Sequence, residues 1–502
     1  MIGSAKAIRS THAGWSARAK QHPCRYFALD GGSGAHLFAA LAGRHPSVQQ
    51  VASPRHADLL IIVEPVSRTL ASAIVELARS LPHPARALLI STSGTELDHF
   101  TSTTQADVTT LLPGIQRTPL LSLESLLDIL RDFGQWPELE GMASTEDESS
   151  LLSLPPQQEL ELATELVVLS LGPVQSFTTG PLRLLLICDG EPVLSAQIEA
   201  GYAQRDIARA MTQVNWQQGI ALSRCLDPLA PIASQLAAVR ALEQLQGWQP
   251  TTQTMRFREG ALALERAQNM LWWVVHFLRL LAAPHLTDRS YQLATALAAW
   301  TSRIWQESPS AWIRAQQNVE STVASRSTAV QMQLQEIGDG VDLLSRTLER
   351  NRAIALRTRG IGVLARERLV AAGVSGPILA ASEQGAGDVR DRLLTRLRAA
   401  VGDVREIIQL LSVGAAASPS PICEDAPAGK ATAEARATAK GPRGTIGVHL
   451  VRSGEERLAQ VEWQRPSAAL LPLLPDMLAG QKLADAEVIV ASLDLAMAEA
   501  DG

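Results

Sequence analysis

Hydrophobic residues follow two rhythms along this chain. Leu59, Leu60, Ile61, Ile62 and Val63 form an unbroken apolar run, the pattern of a strand buried on both faces. Leu70, Ile74, Leu77, Ala78 and Leu81 then recur at helical spacing, and Pro82 and Pro84 close that stretch. Ala87 to Ile90 is a second apolar run. Strand, helix and strand in this order predict a β-α-β unit of a small doubly wound α/β domain. Past residue 166 the rhythm changes. Apolar runs on either side of Asp189-Gly190 predict a hairpin, and mostly helical spacing follows. The most apolar helix-length stretch, Met270 to Ala283, contains His276 and Arg279. It falls short of the roughly 18 residues a membrane span needs, so it is expected to be a buried helix. Trp272 and Trp273 on it are expected at core or interface positions, and His276 as a satisfied buried histidine.

Composition divides the chain. Residues 135–165 form an acidic, Ser-rich linker, and 413–440, dominated by Ala, Pro, Gly, Thr and Ser, form a second linker or insertion. The expected units are a basic N-terminal segment 1–23, an α/β domain 24–134, the acidic linker, a helical domain 166–412, the second linker, and 441–502 returning to the helical domain. The formal net charge is -6, with a pI near 6.0, which argues against a nucleic-acid partner. The linkers and residues 1–23 are expected to be exposed, the latter as a frayed terminus, a transit peptide or a surface helix.

Cysteine usage narrows the chemistry. The 4 cysteines, Cys24, Cys188, Cys225 and Cys423, share no Cys-x-x-Cys spacing. Iron–sulfur and nickel–iron centres need convergent thiolates, and isolated, unpaired thiols fit a reducing compartment. His36, His45 and His56 have no zinc-ligand spacing. The "GGSG" at 31–34 is too little for a phosphate loop. No cofactor, metal or catalytic residue is expected.

Motif order points to a family. "VASPRHADLLIIVEPVSRTLASAIVELARSLPHPARALLIS" resembles the cluster-carrying small subunit of complex I and of energy-converting (group 4, formate-hydrogenlyase-type) [NiFe] hydrogenases. Ser53, Pro54, Arg55, Ala57, Asp58, Val66 and Ser67 match. The upstream "YFALDGGSGAHLFAAL" resembles the family's cysteine-bearing loop without its cysteines. Ser91-Thr-Ser-Gly94 and Leu112 to Pro119 stand where other cluster cysteines belong. Glu64 and Pro65 replace a loop glycine, and Glu64 is expected to be solvated.

The second block resembles the large, 49-kDa-like quinone-site subunit and the related hydrogenase large subunit. Gly172, Pro173, Gly180 and Arg183 match a Gly-Pro-Gln-His-Pro-x-x-His-Gly-x-x-Arg pattern, with Gln175 and Thr179 at the histidine positions. "GYAQRDIARAM" keeps Arg205, and "LSRCLDPLAPIASQ" keeps Arg224 and Asp227. "LALERAQNMLWWVVHFL" resembles a Glu-Arg-x-x-Asn-His helix, with Met270 for the histidine. "LRTRGIGVLARERLVAAGVSGPILAAS" keeps Gly376 and Pro377, and a loop is missing between Ser382 and Gly387. The final block keeps Asp494, with Ala496 and Glu499 at nickel–iron cysteine positions.

The resemblance implies a flavodoxin-type small-subunit-like α/β domain fused to a mostly α hydrogenase large-subunit-like domain, stripped of its redox ligands. The retained residues it marks are Arg55, Asp58, Gly172, Pro173, Arg183, Arg205, Arg224, Asp227, Gly376, Pro377 and Asp494; of these, Asp494 and Arg224 are expected to hold a core salt bridge or cap rather than a residual ion or proton site. It further implies a non-catalytic scaffold or coupling subunit of an ion-translocating complex. That subunit would lie on the cytoplasmic face of the inner membrane, with antiporter-like membrane subunits and other subunits as partners. An NADH-quinone oxidoreductase or hydrogenase-type subunit with a remodelled quinone or small-molecule pocket, and a hydrogenase assembly factor, stay open as alternatives.

Overall fold

The computed structural model describes residues 24–30, 48–51, 53–91, 105–119, 123–131, 133–139, 166–174, 177–250, 252–304, 327–413, 432–454 and 456–502. Strands β1 (Cys24–Asp30), β2 (Val48–Gln50), β3 (Leu59–Val63), β4 (Ala87–Ser91) and β5 (Gln116–Pro119) form one sheet in the order β2-β1-β3-β4-β5. Every pairing in it is parallel. Helices α1 (Ala71–Arg79), α2 (Val108–Leu111) and α3 (Leu123–Arg131) accompany it. β3 and β4 are buried at every position, as strands covered on both faces must be. α1 buries Ala73, Ile74, Val75, Leu77 and Ala78, so the stripe read from sequence faces the sheet. The predicted parallel α/β unit is present.

Packing in this region runs to Leu139, past the boundary expected at 134. Leu139 is buried and its N–H donates to the Ala85 carbonyl at 2.9 Å. Trp136 packs on the same domain's second core. These two apolar side chains, set in an acidic stretch, draw the first residues of the expected linker into the fold.

Two antiparallel three-stranded sheets and a helical body make up the remainder. β6 (Val167–Leu171), β7 (Arg183–Cys188) and β8 (Val193–Glu199) form a meander. Its β7–β8 turn is the predicted one, with Gly190 at φ +67°, a conformation glycine adopts without strain. Helices α4 (Ile207–Gln213), α5 (Trp216–Ser223), α6 (Pro231–Gln246), α7 (Thr252–Leu280), α8 (Pro284–Ile304), α9 (Ser327–Arg350), α10 (Arg352–Thr358), α11 (Arg366–Ala371), α12 (Pro377–Gln384) and α13 (Val389–Val413) follow. The 29-residue α7 holds the apolar stretch read from sequence. It packs against α8 and α13, and α13 packs on α9. Among the described residues no helix is long and apolar enough to cross a membrane.

The sheet β9 (Glu434–Lys440), β10 (Thr445–Ser453) and β11 (Arg457–Gln464) corrects the second expected linker. The last seven residues of 413–440 are strand β9, with Ala435, Ala437 and Ala439 buried. Its alanines suggested too little to bury, yet at period two they lay one face against α6. Residues 414–431 lie outside the described residues, as do 1–23 and 140–165. Helices α14 (Pro466–Leu470), α15 (Leu474–Leu478), α16 (Leu483–Ala491) and α17 (Met497–Asp501) end the chain, and residues 488–500 are buried throughout.

The two regions pack directly. The Ser67 hydroxyl donates to the Tyr202 carbonyl, and Tyr202 and Val174 join the small domain's core. Arg279 Nη1 donates to Gln50 Oε1 at 2.7 Å.

Candidate functional site

Four buried charges meet at the centre of the helical domain. Asp227 lies in the turn before α6, Arg396 on α13, Arg443 in the β9–β10 turn and Asp494 after α16, all buried. Arg443 Nη1 pairs with Asp227 Oδ2 at 2.7 Å, and its Nε donates to the Asp494 carbonyl at 2.9 Å. Arg396 Nη1 pairs with Asp494 Oδ2 at 2.8 Å, and its Nη2 donates to the Leu493 carbonyl at 2.9 Å. The Arg396 guanidinium also stands 4.5 Å from the Trp273 ring centroid, a cation–π geometry. Trp273 is held by its Nε1 donating to the Ala491 carbonyl at 2.9 Å and by stacking on Phe277. Desolvation opposes the Arg443 charge, but Asp227, Asp494, Glu499 and Glu265 outweigh it and raise its pKa.

Two further acids rim this network. Glu265 on α7 accepts the N–H groups of Ile232 and Ala233 at 2.6 and 2.9 Å, capping the start of α6. Burial nevertheless pushes its carboxyl up to about 8, so it holds its proton at neutral pH. Glu499 on α17 accepts from the Ser467 N–H and hydroxyl at 3.0 and 2.8 Å. Burial and the Asp227 charge push it up to about 7. Each acid therefore meets arginine, a helix start or a hydroxyl, as buried polar groups must. Chemically, the ensemble neutralises charge and ties five distant segments together.

A second polar group lies at the carboxyl ends of the parallel strands, where open α/β sheets bind ligands. The Ser91 hydroxyl donates to Glu64 Oε2 at 2.6 Å and accepts from Arg117 Nη2 at 3.0 Å. Arg117 stands 3.7 Å from Glu64. Glu64, expected to be solvated, is thus a half-buried, engaged acid.

Residues 424–502 match the family model of the respiratory-chain NADH dehydrogenase 49 Kd subunit. The chain is 26% identical over 388 residues to the NADH-quinone oxidoreductase D 2 subunit of Roseiflexus sp. (strain RS-1), covering 67% of this chain and 93% of the relative. It is 26% identical over 370 residues to the NADH-quinone oxidoreductase D subunit of Dehalococcoides mccartyi (strain ATCC BAA-2266 / KCTC 15142 / 195), covering 68% of this chain and all of the relative. Residues 424–502 of this chain are thus similar to the 49 Kd subunit family. Its fold matches a chain in the solved structure of the membrane-bound sulfane sulfur reductase, an archaeal respiratory membrane complex. The TM-score is 0.59 at 21% identity, over 68% of this chain and 100% of that one. About a third of this chain lies outside each of the two NADH-quinone oxidoreductase matches.

Against that background the sequence-marked residues separate. Asp227 and Asp494 enter the network, and Arg224 is half-buried. Arg205 is buried and donates through Nη2 to the Leu226 and Ala498 carbonyls, both at 3.1 Å. Arg183 on β7 donates to Ser170 and pairs with Glu199 at 3.4 Å. Gly172, at φ +97°, lies so close to the Leu182 carbonyl that a Cβ would overlap it, and the Leu182 N–H donates to the Pro173 carbonyl at 3.0 Å. Gly376, at φ +75°, abuts Gly444, and Pro377 opens α12. Arg55 is exposed, while Asp58 takes the Arg25 guanidinium at 2.8 Å and its N–H at 3.0 Å. Gln175 lies outside the described residues.

Sequence reasoning passed over Arg396 and Arg443, the cations that complete the network. The only available signal was arginine set within apolar surroundings: Arg396 follows Leu393, Leu394 and Thr395 on the inward side of α13.

Proposed function

We propose that this chain is a non-catalytic scaffold or coupling subunit of a complex-I-like or energy-converting-hydrogenase-like ion-translocating complex. It would sit peripherally on the cytoplasmic face of the inner membrane, contacting antiporter-like membrane subunits, with the family's redox centres lost. The observation that carries this reading is the closed pairing of Asp227, Arg443, Asp494 and Arg396, in which each charge is consumed by a neighbour. Thr179 and Ala496 stand at a family histidine and a family cysteine position. They are joined here by backbone hydrogen bonds, Thr179 N–H to the Leu495 carbonyl and Met497 N–H to the Thr179 carbonyl. Glu499, at the other cysteine position, is committed to Ser467.

The three described cysteines do not fit a resident cluster. Cys24, Cys188 and Cys225 pack in or against three different cores, so no two converge as thiolate ligands must. The direct packing of the α/β domain on the helical domain supports a fused module kept as one body. Affinity purification from solubilised membranes, with mass spectrometry and elemental analysis, tests the reading. Recovery of membrane ion-translocating subunits with no stoichiometric iron or nickel in this chain is expected. About four irons per chain, or a monomer with no membrane partner, would overturn it.

A further inference from the structure

One surface departs from the charge of the rest. Residues 350–376 carry Arg350, Arg352, Arg357, Arg359, Arg366 and Arg368 against Glu367 alone, in a chain of net charge -6. All six arginines are exposed. Arg366 pairs with Glu383 at 3.3 Å and Arg368 with Asp476. Arg350, Arg352, Arg357 and Arg359 have no acidic partner among the described residues. Three aliphatic side chains are interleaved with them: Leu356 at 76% exposure, Val363 at 48% and Val370 at 52%. The segment is not loose. Ile354, Thr358, Leu364 and Leu369 are buried beneath it, and Leu364 and Val389 tie it to the start of α13 through backbone hydrogen bonds to Gly387 and Ile361.

We propose that this strip, α10 through α11, is a membrane-docking surface that lies on anionic phospholipid. Unpaired arginines meet lipid phosphates without first breaking an internal ion pair. Each basic side chain near an anionic leaflet strengthens binding roughly fivefold. The aliphatics then sit at the headgroup–acyl boundary while the guanidinium groups stay among the phosphates. A protein interface gathers its apolar area into a core ringed by polar groups. Here aliphatics and cations alternate along the chain, which a fluid headgroup layer accommodates. The net negative charge of the whole chain makes the attraction directional, turning this face toward the bilayer. The proposal rests on the peripheral-membrane reading above and names the part of the chain that makes the contact.

The test is sedimentation of the purified full chain with vesicles. Vesicles of phosphatidylglycerol and phosphatidylcholine in equal parts should bind it, phosphatidylcholine alone should not, and added salt should release it. The variant Arg352→Glu/Arg357→Glu/Arg359→Glu should lose at least about tenfold in binding, with an unchanged thermal unfolding curve because all three side chains are exposed. Leu356→Ser should weaken binding several-fold. The proposal is overturned if the wild type ignores phosphatidylglycerol or the triple variant sediments like wild type. It is equally overturned if binding appears only when membrane subunits are reconstituted in the vesicles, which would mark an acidic protein as the partner. Failure here with membrane subunits still co-purifying sinks the lipid surface and leaves the assembly reading standing. Vesicle binding without those subunits does the reverse.

Discussion

The molecule handles charge in two ways. At the strand ends of the α/β domain, Glu64, Ser91 and Arg117 form a half-exposed set with Arg117 3.7 Å from Glu64. At the centre of the helical domain, Asp227, Arg443, Asp494 and Arg396 are fully withdrawn from water and paired at 2.7 and 2.8 Å. Water screens the first set, so losing a member costs little. Nothing screens the second, so losing one member strands the others. The same resemblance places redox ligands in both regions. Of the two sets, the buried one in the helical domain is the one expected to bear on folding stability.

The largest test of this contrast is Asp227→Ala. It leaves Arg443 short of a buried partner and should cost about 3–5 kcal/mol in urea unfolding. The double variant Asp227→Leu/Arg443→Met should recover much of that, because a buried pair replaced by apolar side chains is often neutral. Trp273→Ala should cost a similar about 3–5 kcal/mol, since it removes the ring under Arg396 as well as core volume.

Smaller, and specific to the buried side, is a pH effect. The folded carboxyl of Glu265 is pushed up to about 8, from an ordinary value of 4.5. Between those values the folded chain holds a proton that the unfolded chain releases. The contribution to stability is therefore complete below about 4.5 and is lost as pH rises through about 8. Glu499 acts in the same direction, with its window closing near 7. Denaturant midpoints measured from pH 5 to 8 should fall, and Glu265→Gln should flatten the slope whatever it does to the absolute value. A wild-type midpoint that rises over this range would contradict the assignment. The smallest effect belongs to the exposed region: Glu64→Gln should change stability by less than about 1 kcal/mol. A larger loss would mean that the strand-end set is as structural as the buried one.

Much of the architecture was legible because periodicity is local. The apolar runs at Leu59–Val63 and Ala87–Ile90 and the helical stripe between them became β3, β4 and α1 as read. The apolar stretch from Met270 became the largely buried second half of α7. β9 was missed because alanine is weakly apolar, and its alternation counts only once α6 lies against it. In the site, Asp227 and Asp494 were singled out, yet their partners were not. Arg443 is 216 positions from Asp227, and Arg396 is 98 from Asp494. No periodicity reaches across such separations.

The central claim is that the buried charges support assembly and no chemistry, and one measurement addresses it directly. The complex would be purified with Asp227→Ala or Asp494→Ala in this chain. Its assembled yield and its activity per assembled complex would then be measured together. The account predicts that yield falls in step with the stability lost while activity per assembled complex stays nearly unchanged. Intact assembly with activity lowered tenfold or more would contradict it and make the network part of a working site.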